Sequence, residues 1–442
     1  MVTGYRKTIL KNICWSVIGK LANIGGVLLT GILIARYLGA EQYGLMNYVI
    51  SYIAIFITIA VFGLDAIEVR EFSKLSNSNR IYEILGTSLG LRAVSSFFTF
   101  ALALLISMFI PEASKIIDFI FIYALCLFPN IFNNIRNFYF AKLENEKVVK
   151  AEVVRTLLGM SFKFILLWCH ATLVWFIIAM SLDFFLVATG YISSFIKDGY
   201  DFRNFSFSKS LAIKLFSESL PLLISSLTVI IYHKIDQLML GNMIDMKALG
   251  LYAVAVRLVD VVAVIPTIIV QTVTPVLVRK KETDKSTYKK NRLAFLGMME
   301  WISIILSLGT LIIAYPMVRY SYGIQYVMAV PILQILIWKI VGMTMAAASG
   351  QLIILDSIQK WVVLRNIVAC VLCVTLNAVL IKEYGLAGAA IASVLTLLFS
   401  SFVANVFIPA YKEIFIEQCK AIVYGPMILV AELKTLRIND NK

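Results

Sequence analysis

The sequence predicts an all-α integral membrane protein: twelve transmembrane helices in two six-helix lobes, with both termini cytoplasmic. Three observations predict it. The first is composition. Of 442 residues 60% are hydrophobic and only 15% charged, and the mean hydropathy is +0.87. An average soluble domain carries about 25% charged residues, and a globule in water cannot hide so much apolar surface. A disordered chain would be poor in Leu, Ile, Val and Phe. The second is a series of apolar runs, each near the ~20 residues that cross the hydrocarbon. The third is the one-sided placement of Lys and Arg in the loops between them.

The runs place spans at 12–38, 43–63, 84–110, 116–139, 153–170, 171–196, 217–240, 248–278, 293–314, 326–355, 361–381 and 384–409. The N-terminus starts with Arg6, Lys7 and Lys11 but has no small-residue cleavage site, so it reads as the first span and not as a signal peptide. The fifth and sixth spans nearly touch at Cys169-His170-Ala171, where Trp168 and Trp175 suit interfacial anchors around a tight turn. Pro129, Pro266 and Pro275 remove backbone donors and can bend their spans. Gly385, Gly388, Ala389 and Ala392, like Ala346–Gly350, are small residues suited to close helix packing. The expected organisation is one lobe over 1–200, a second over 201–410 and a cytoplasmic or interfacial tail over 411–442. The tail's apolar stretch, Ala421–Ala431, contains Pro426 and is too short to be a thirteenth span.

With the N-terminus inside, the inward segments hold 26 Lys and Arg, and the outward ones only Lys115, Lys247, Arg319 and Lys382. A missed span would invert every later loop, so the agreement along the chain supports an even span number. Most of the net charge of +14 is therefore orientation charge.

Several classes are disfavoured. No loop exceeds about 20 residues, which leaves no room for a soluble catalytic domain. No GxxxxGK[ST] sequence supports ATP-driven pumping. Cys370 and Cys373 form a C-x-x-C within an apolar helix, and there are two histidines, so no metal or redox cofactor is expected. The basic loop 279–292 lacks aromatic interleaving and suits anionic lipid, not nucleic acid.

An internal repeat is visible. Residues 32–45 resemble 238–251, each ending in Gly-Leu before the next span, and ValValArg at 153–155 lies 210 residues before ValLeuArg at 363–365. Parallel repeats are a known transporter plan, with the site between the halves.

Four segments then resemble the polysaccharide-transporter family, the O-antigen (Wzx-type) flippases. They are LeuThrGlyIleLeuIleAlaArgTyrLeuGlyAlaGluGlnTyrGlyLeuMetAsnTyr (29–48), GlyLeuAspAlaIleGluValArgGlu (63–71), HisLysIleAspGlnLeuMetLeuGly (233–241) and GluTyrGlyLeuAlaGlyAlaAlaIleAla (383–392). The resemblance covers about 1–410. It implies a MATE-like, two-lobed bundle working by alternating access, in a superfamily shared with multidrug extruders and the lipid II flippase. It also implies a flippase, not an enzyme. Its substrate would be an undecaprenyl-diphosphate-linked oligosaccharide, moved from the inner to the outer leaflet of a bacterial inner membrane. A polysaccharide polymerase and chain-length machinery would be its partners.

Ionisable groups within spans are functional candidates. Those found are Lys20, Arg92, Lys163, Asp183, Lys234, Asp236, Arg257, Asp260, Glu300 and Lys339. Their basic excess suits an anionic diphosphate. Lys20, Arg92, Lys234, Arg257 and Lys339 are the candidate substrate-binding residues, and Asp183, Asp236 and Glu300 the candidates for a coupling H+ or Na+. Bland readings stand beside these. Lys20 and Arg92 are within snorkelling reach of the cytoplasm. Arg257 and Asp260, at i and i+3, can neutralise each other. Asp236 can pair with Arg257. Lys163 has no partner near it in sequence. A cation-coupled drug extruder is the alternative on the same fold, though it would favour an acidic lumen. A membrane glycosyltransferase or polymerase would need larger extramembrane loops than this chain has.

Overall fold

The computed structural model describes the backbone of residues 2–74, 78–283 and 285–439, and the side chains of 25–74, 80–275, 277–278, 281, 288–289 and 291–427. Among the described residues the chain is helical throughout and contains no strand. It divides into two compact units, Met1–Gly250 and Leu251–Lys442.

The first unit holds α1 (Val2–Val61), α2 (Leu64–Ser73), α3 (Ser78–Phe109), α4 (Pro111–Lys115), α5 (Ile117–Ala124), α6 (Asn133–Ala141), α7 (Asn145–Trp168), α8 (Leu173–Lys197) and α9 (Lys209–Met243). The unit boundary falls within α10 (Met246–Val262). The second unit continues with α11 (Val264–Thr283), α12 (Lys285–Ser321), α13 (Val330–Leu336), α14 (Lys339–Leu355), α15 (Val362–Leu398), α16 (Ala404–Phe407) and α17 (Lys412–Asn439).

Eight helical segments among the described residues are long and apolar enough to cross a membrane. A ninth is the pair Ile324–Leu336 and Lys339–Leu355, bent by 43°. Two of the eight, Gly25–Ser73 and Gln359–Phe407, run for 49 residues each. At 1.5 Å per residue that is about 74 Å, more than twice the ~30 Å hydrocarbon thickness. Each is broken by a glycine: Gly39 has φ 76° and Gly385 φ 58°, a backbone state that a side chain would strain. α7 is long enough to span but carries Glu152, Arg155 and Lys163. The chain turns between α7 and α8 at Cys169-His170, with His170 at φ 50°. Proline explains two other breaks. Leu125–Leu127 and Pro129–Phe132 are tight 3-10 turns between α5 and α6, and α10 gives way to α11 three residues before Pro266.

The burial pattern is that of a protein surrounded by lipid. Phe97, Phe98, Ile312 and Val371 are all more than 60% exposed, whereas Glu68, Arg92, Asn137, Asp236 and Glu300 are buried. In the first unit α1 packs on α3, α7 and α9. Ser51 donates to Gln237 Oε1 at 2.6 Å, and Asn242 Nδ2 to the Tyr48 hydroxyl at 2.8 Å. In the second unit the tail forms α17, which lies along α12. Arg292 Nε donates to Glu417 Oε2 at 2.6 Å, Trp301 Nε1 donates to the Ile422 carbonyl at 3.0 Å, and Gly297 faces Gly425. A π-helical turn at Phe399–Val403 frees the Ser401 carbonyl, which accepts from Asn405 and Gln418.

Candidate functional site: an arginine–carboxylate cluster

The first unit builds a charged cluster on α2. Gly63, at φ 68°, starts this short helix, and Asp65 and Glu68 follow at i and i+3 on one face. Arg92 on α3 meets them. Its Nε and Nη2 donate to the two oxygens of Glu68, both at 2.8 Å, and Nη2 also donates to Asp65 Oδ1 at 2.6 Å. From α6, Asn137 Nδ2 donates to Glu68 Oε2 at 2.6 Å and to Asp65 Oδ1 at 2.8 Å, and Arg136 Nη2 donates to Asp65 Oδ2 at 3.1 Å. Arg92 and Glu68 are 1% and 0% exposed. Such withdrawal is tolerable because the fork is matched bidentately and the remaining lone pairs find Asn137.

The cluster opens toward α7 and α8. Asp65 and Arg136 keep 39% and 26% of their side chains exposed. Tyr191 on α8 donates to Glu152 Oε1 on α7 at 3.3 Å, and Arg136 and Arg155 both lie within electrostatic range of its hydroxyl. Arg155 has no hydrogen-bond or ion-pair partner among the described residues, and its Nε is buried. Arg92 is thus held on two carboxylates through Nε and Nη2, whereas Arg155 has its donor fork unused. A guanidinium with spare donors near a span end is suited to a phosphate or diphosphate oxygen.

The residues singled out in the sequence are distributed differently from the expected single set. Arg92 belongs to the cluster as the clamp on Glu68 and Asp65. Lys163 and Asp183, 20 residues apart on α7 and α8, form a buried ion pair packed against Gly159. Asp236 is fully buried on α9, and its Oδ1 accepts the Gln237 backbone N–H at 2.8 Å; Lys234 is half-buried on the same helix. Arg257, half-buried, and Asp260, exposed, lie on α10 beyond the unit boundary. In the second unit Glu300 is 1% exposed and neither carboxyl oxygen has a partner among the described residues. Lys339 is 5% exposed and opens α14 directly after the bend. Just before it, the Ile337 carbonyl accepts from Ser307 at 3.3 Å. Lys20 lies outside the residues whose side chains are described.

Asp65, Glu68, Arg136, Glu152 and Arg155 were not among the sequence candidates. All lie within a few residues of span ends, where charge is ordinarily loop charge. The usable signals were the 63–71 segment, which contains Asp65 and Glu68, and the ValValArg repeat string, which contains Arg155.

A profile of the family described as polysaccharide biosynthesis protein matches residues 9–281. The chain belongs to that family. Comparison with curated proteins gives no match. Among solved structures, the lipid II flippase MurJ in an inward closed conformation is similar, at TM-score 0.67 and 17% identity over 96% of this chain and 93% of that one. An inward-facing MATE-family multidrug resistance transporter of the MOP superfamily gives TM-score 0.67 and 15% identity, over 93% and 95%. A mutant of the Vibrio cholerae MATE transporter VcmN gives 0.60 and 12%, over 93% and 97%. These likenesses establish the fold, and the apolar helices long enough to cross a membrane make this a multi-pass membrane protein. Within this polysaccharide biosynthesis protein the resembling segments have physical roles. The 29–48 segment contains the Gly39 break, 63–71 contributes two carboxylates to the cluster, 233–241 carries buried Asp236, and 383–392 contains the Gly385 break.

Proposed function

We propose that this chain is a flippase. It carries an undecaprenyl-diphosphate-linked oligosaccharide, an O-antigen or similar repeat unit, from the cytoplasmic to the outer leaflet of a bacterial inner membrane by alternating access. The observation that carries the reading is Arg155, an arginine with unused donors in the same unit as Arg136 and the Arg92 clamp. Arg92 fixes the carboxylates, so that Arg136 and Arg155 can receive the diphosphate without a change in the cluster's own pairing. The family description and the likeness to a lipid II flippase support this substrate class. Twelve spans follow if each 49-residue segment crosses twice, the bent pair crosses once and α7 is included; lobes over 1–200 and 201–410 and cytoplasmic termini agree with the basic loops. No step requires bond chemistry, so the chain is not an enzyme on this reading. Lys339, Arg257, Lys234 and Lys20 are further cationic contacts along the path. Among Asp183, Asp236 and Glu300, Glu300 is the favoured site for a coupling H+ or Na+, because its oxygens have no donor of their own. A polymerase and chain-length machinery would receive the product.

Leaflet-resolved analysis of undecaprenyl-linked glycans, in cells lacking the chain and complemented with Arg155→Gln, tests the proposal. Accumulation on the cytoplasmic face at normal protein abundance is expected. Unchanged glycans with altered drug sensitivity would instead indicate a cation-coupled multidrug extruder.

A further inference from the structure

The second unit contains a groove that the proposed transport path does not use. It has a volume of about 320 Å³ and runs between the start of α15 and the turn after α16. This lies within the usual range of roughly 300–1,000 Å³ for ligand pockets. Trp361, Leu364, Arg365 and Val368 of the α15 side and Phe407 and Pro409 from the turn after α16 line it. The walls face the bilayer: Leu364, Val368 and Phe407 are 50%, 45% and 73% exposed. Arg365 is only 9% exposed and holds its guanidinium 5.7 Å from the ring centre of buried Tyr411.

Charge and depth decide what fills it. Arg365 lies six residues into the apolar segment that begins at Gln359, about 9 Å along the helix. Trp361 is placed as an interfacial anchor, and Lys360 rests over its ring at 5.7 Å. No acidic side chain lines the groove. A cation in an apolar groove with exposed walls matches a lipid with one negative headgroup and a chain to lay along the walls. The repeat sharpens the contrast. Arg155 ends ValValArg and sits among Glu152 and Tyr191, whereas Arg365 ends ValLeuArg and lines a groove whose other lining side chains are apolar. The second copy of the string therefore faces a different chemistry from the first.

We infer that this groove binds one anionic glycerophospholipid of the surrounding bilayer, its phosphate on Arg365 and an acyl chain between Leu364, Val368 and Phe407. This lipid is a resident and not the transported one.

Native mass spectrometry of the purified full-length chain, titrated with phosphatidylglycerol or phosphatidylcholine of identical chains, tests it. One phosphatidylglycerol should be retained about tenfold more tightly than phosphatidylcholine, the scale of one charge-assisted hydrogen bond. Arg365→Gln should remove that preference, Arg365→Lys should keep most of it, and Val368→Trp, which fills the channel, should lose the tightly held lipid. Equal retention of the two lipids by the unaltered chain overturns the inference, as does an unchanged preference in Arg365→Gln. Displacement by inorganic phosphate would make the site a plain anion site. Displacement by equimolar undecaprenyl phosphate would assign the groove to the transported lipid. Either result rejects the resident-lipid assignment and leaves the Arg155 reading standing.

Discussion

Gly44 and Gly250 hold α1 and the start of α10 backbone to backbone. A Cβ on Gly44 would strike the Met246 carbonyl and come within 2.8 Å of the Gly250 nitrogen, and a Cβ on Gly250 would strike the Ala40 carbonyl and come within 3.1 Å of the Gly44 nitrogen. These are the glycines of the two Gly-Leu strings that end the repeated segments 32–45 and 238–251. Each copy of the repeat contributes one glycine to the same crossing, and only hydrogen fits there.

Gly44→Ala and Gly250→Ala should therefore each destabilise the protein. The obstacle is backbone and cannot rotate away, so the cost belongs at the upper end of the ~1–3 kcal/mol typical of overpacking. Thermal melting of detergent-purified protein measures it. Gly350→Ala, where nothing lies within 4 Å of the added methyl, is the control and should melt as the unaltered chain does. A normal melting temperature in both test variants would mean that the helices do not approach this closely.

The Arg92–Glu68 clamp predicts a double-mutant pattern. Arg92→Leu leaves Glu68 and part of Asp65 uncompensated in a buried setting, a loss on the order of 3–5 kcal/mol. Adding Glu68→Leu should recover much of it, because two apolar groups need no partner. Urea or thermal unfolding of the two single variants and the double variant provides the cycle. An additive double variant would show that the pair is not coupled.

Arg155→Gln should reach the membrane at normal abundance and lose most glycan export, since its side chain satisfies no other group. Arg155→Lys should restore part of the activity, retaining the charge without the fork. The same logic applies to Lys339, 5% exposed and without an ion-pair or hydrogen-bond partner among the described residues. Full export by Lys339→Gln would remove it from the path. Immunoblotting of membranes beside the leaflet assay separates transport from abundance.

At the end of α8, Asp198 gives a pH prediction. Burial pushes its carboxyl up, but the Lys147 ammonium and the Tyr139 hydroxyl, each 2.6 Å from Oδ2, outweigh this and hold it below the usual aspartate range. A carboxyl lowered on folding adds stability that is fully present above its unfolded value of about 3.9 and fades as pH falls through the lower folded value. The melting temperature of the unaltered chain should exceed that of Asp198→Asn by a constant margin from pH 7 to about pH 5. The margin should close below about pH 4. A margin that widens on acidification would contradict the Lys147 pairing.

How much of this was readable beforehand depends on how far apart the interacting residues are in sequence. The tight turn at Cys169-His170 and the resembling segments that contain the two glycine breaks were all visible as local signals. That α17 packs along α12 is not legible in the sequence, because the Gly297–Gly425 contact and the Arg292–Glu417 pair join residues more than a hundred positions apart. Lys163 carried no partner in the sequence reading, and Asp183 across the α7–α8 turn supplies one.

The sequence by itself determined that the chain lives in a membrane, that it is built of apolar helices, and which family it belongs to. The reason is that hydrocarbon acts on each segment separately: every backbone donor must be met within its own helix, and every stretch must be long and apolar enough to cross. Only the tertiary structure decided which charges are spent and which are available. Arg92 and Arg155 are both arginines near span ends, indistinguishable by composition. One is clamped through Nε and Nη2 by Glu68 and Asp65 and the other retains its donors, because charge compensation depends on which side chains other helices bring within 3 Å.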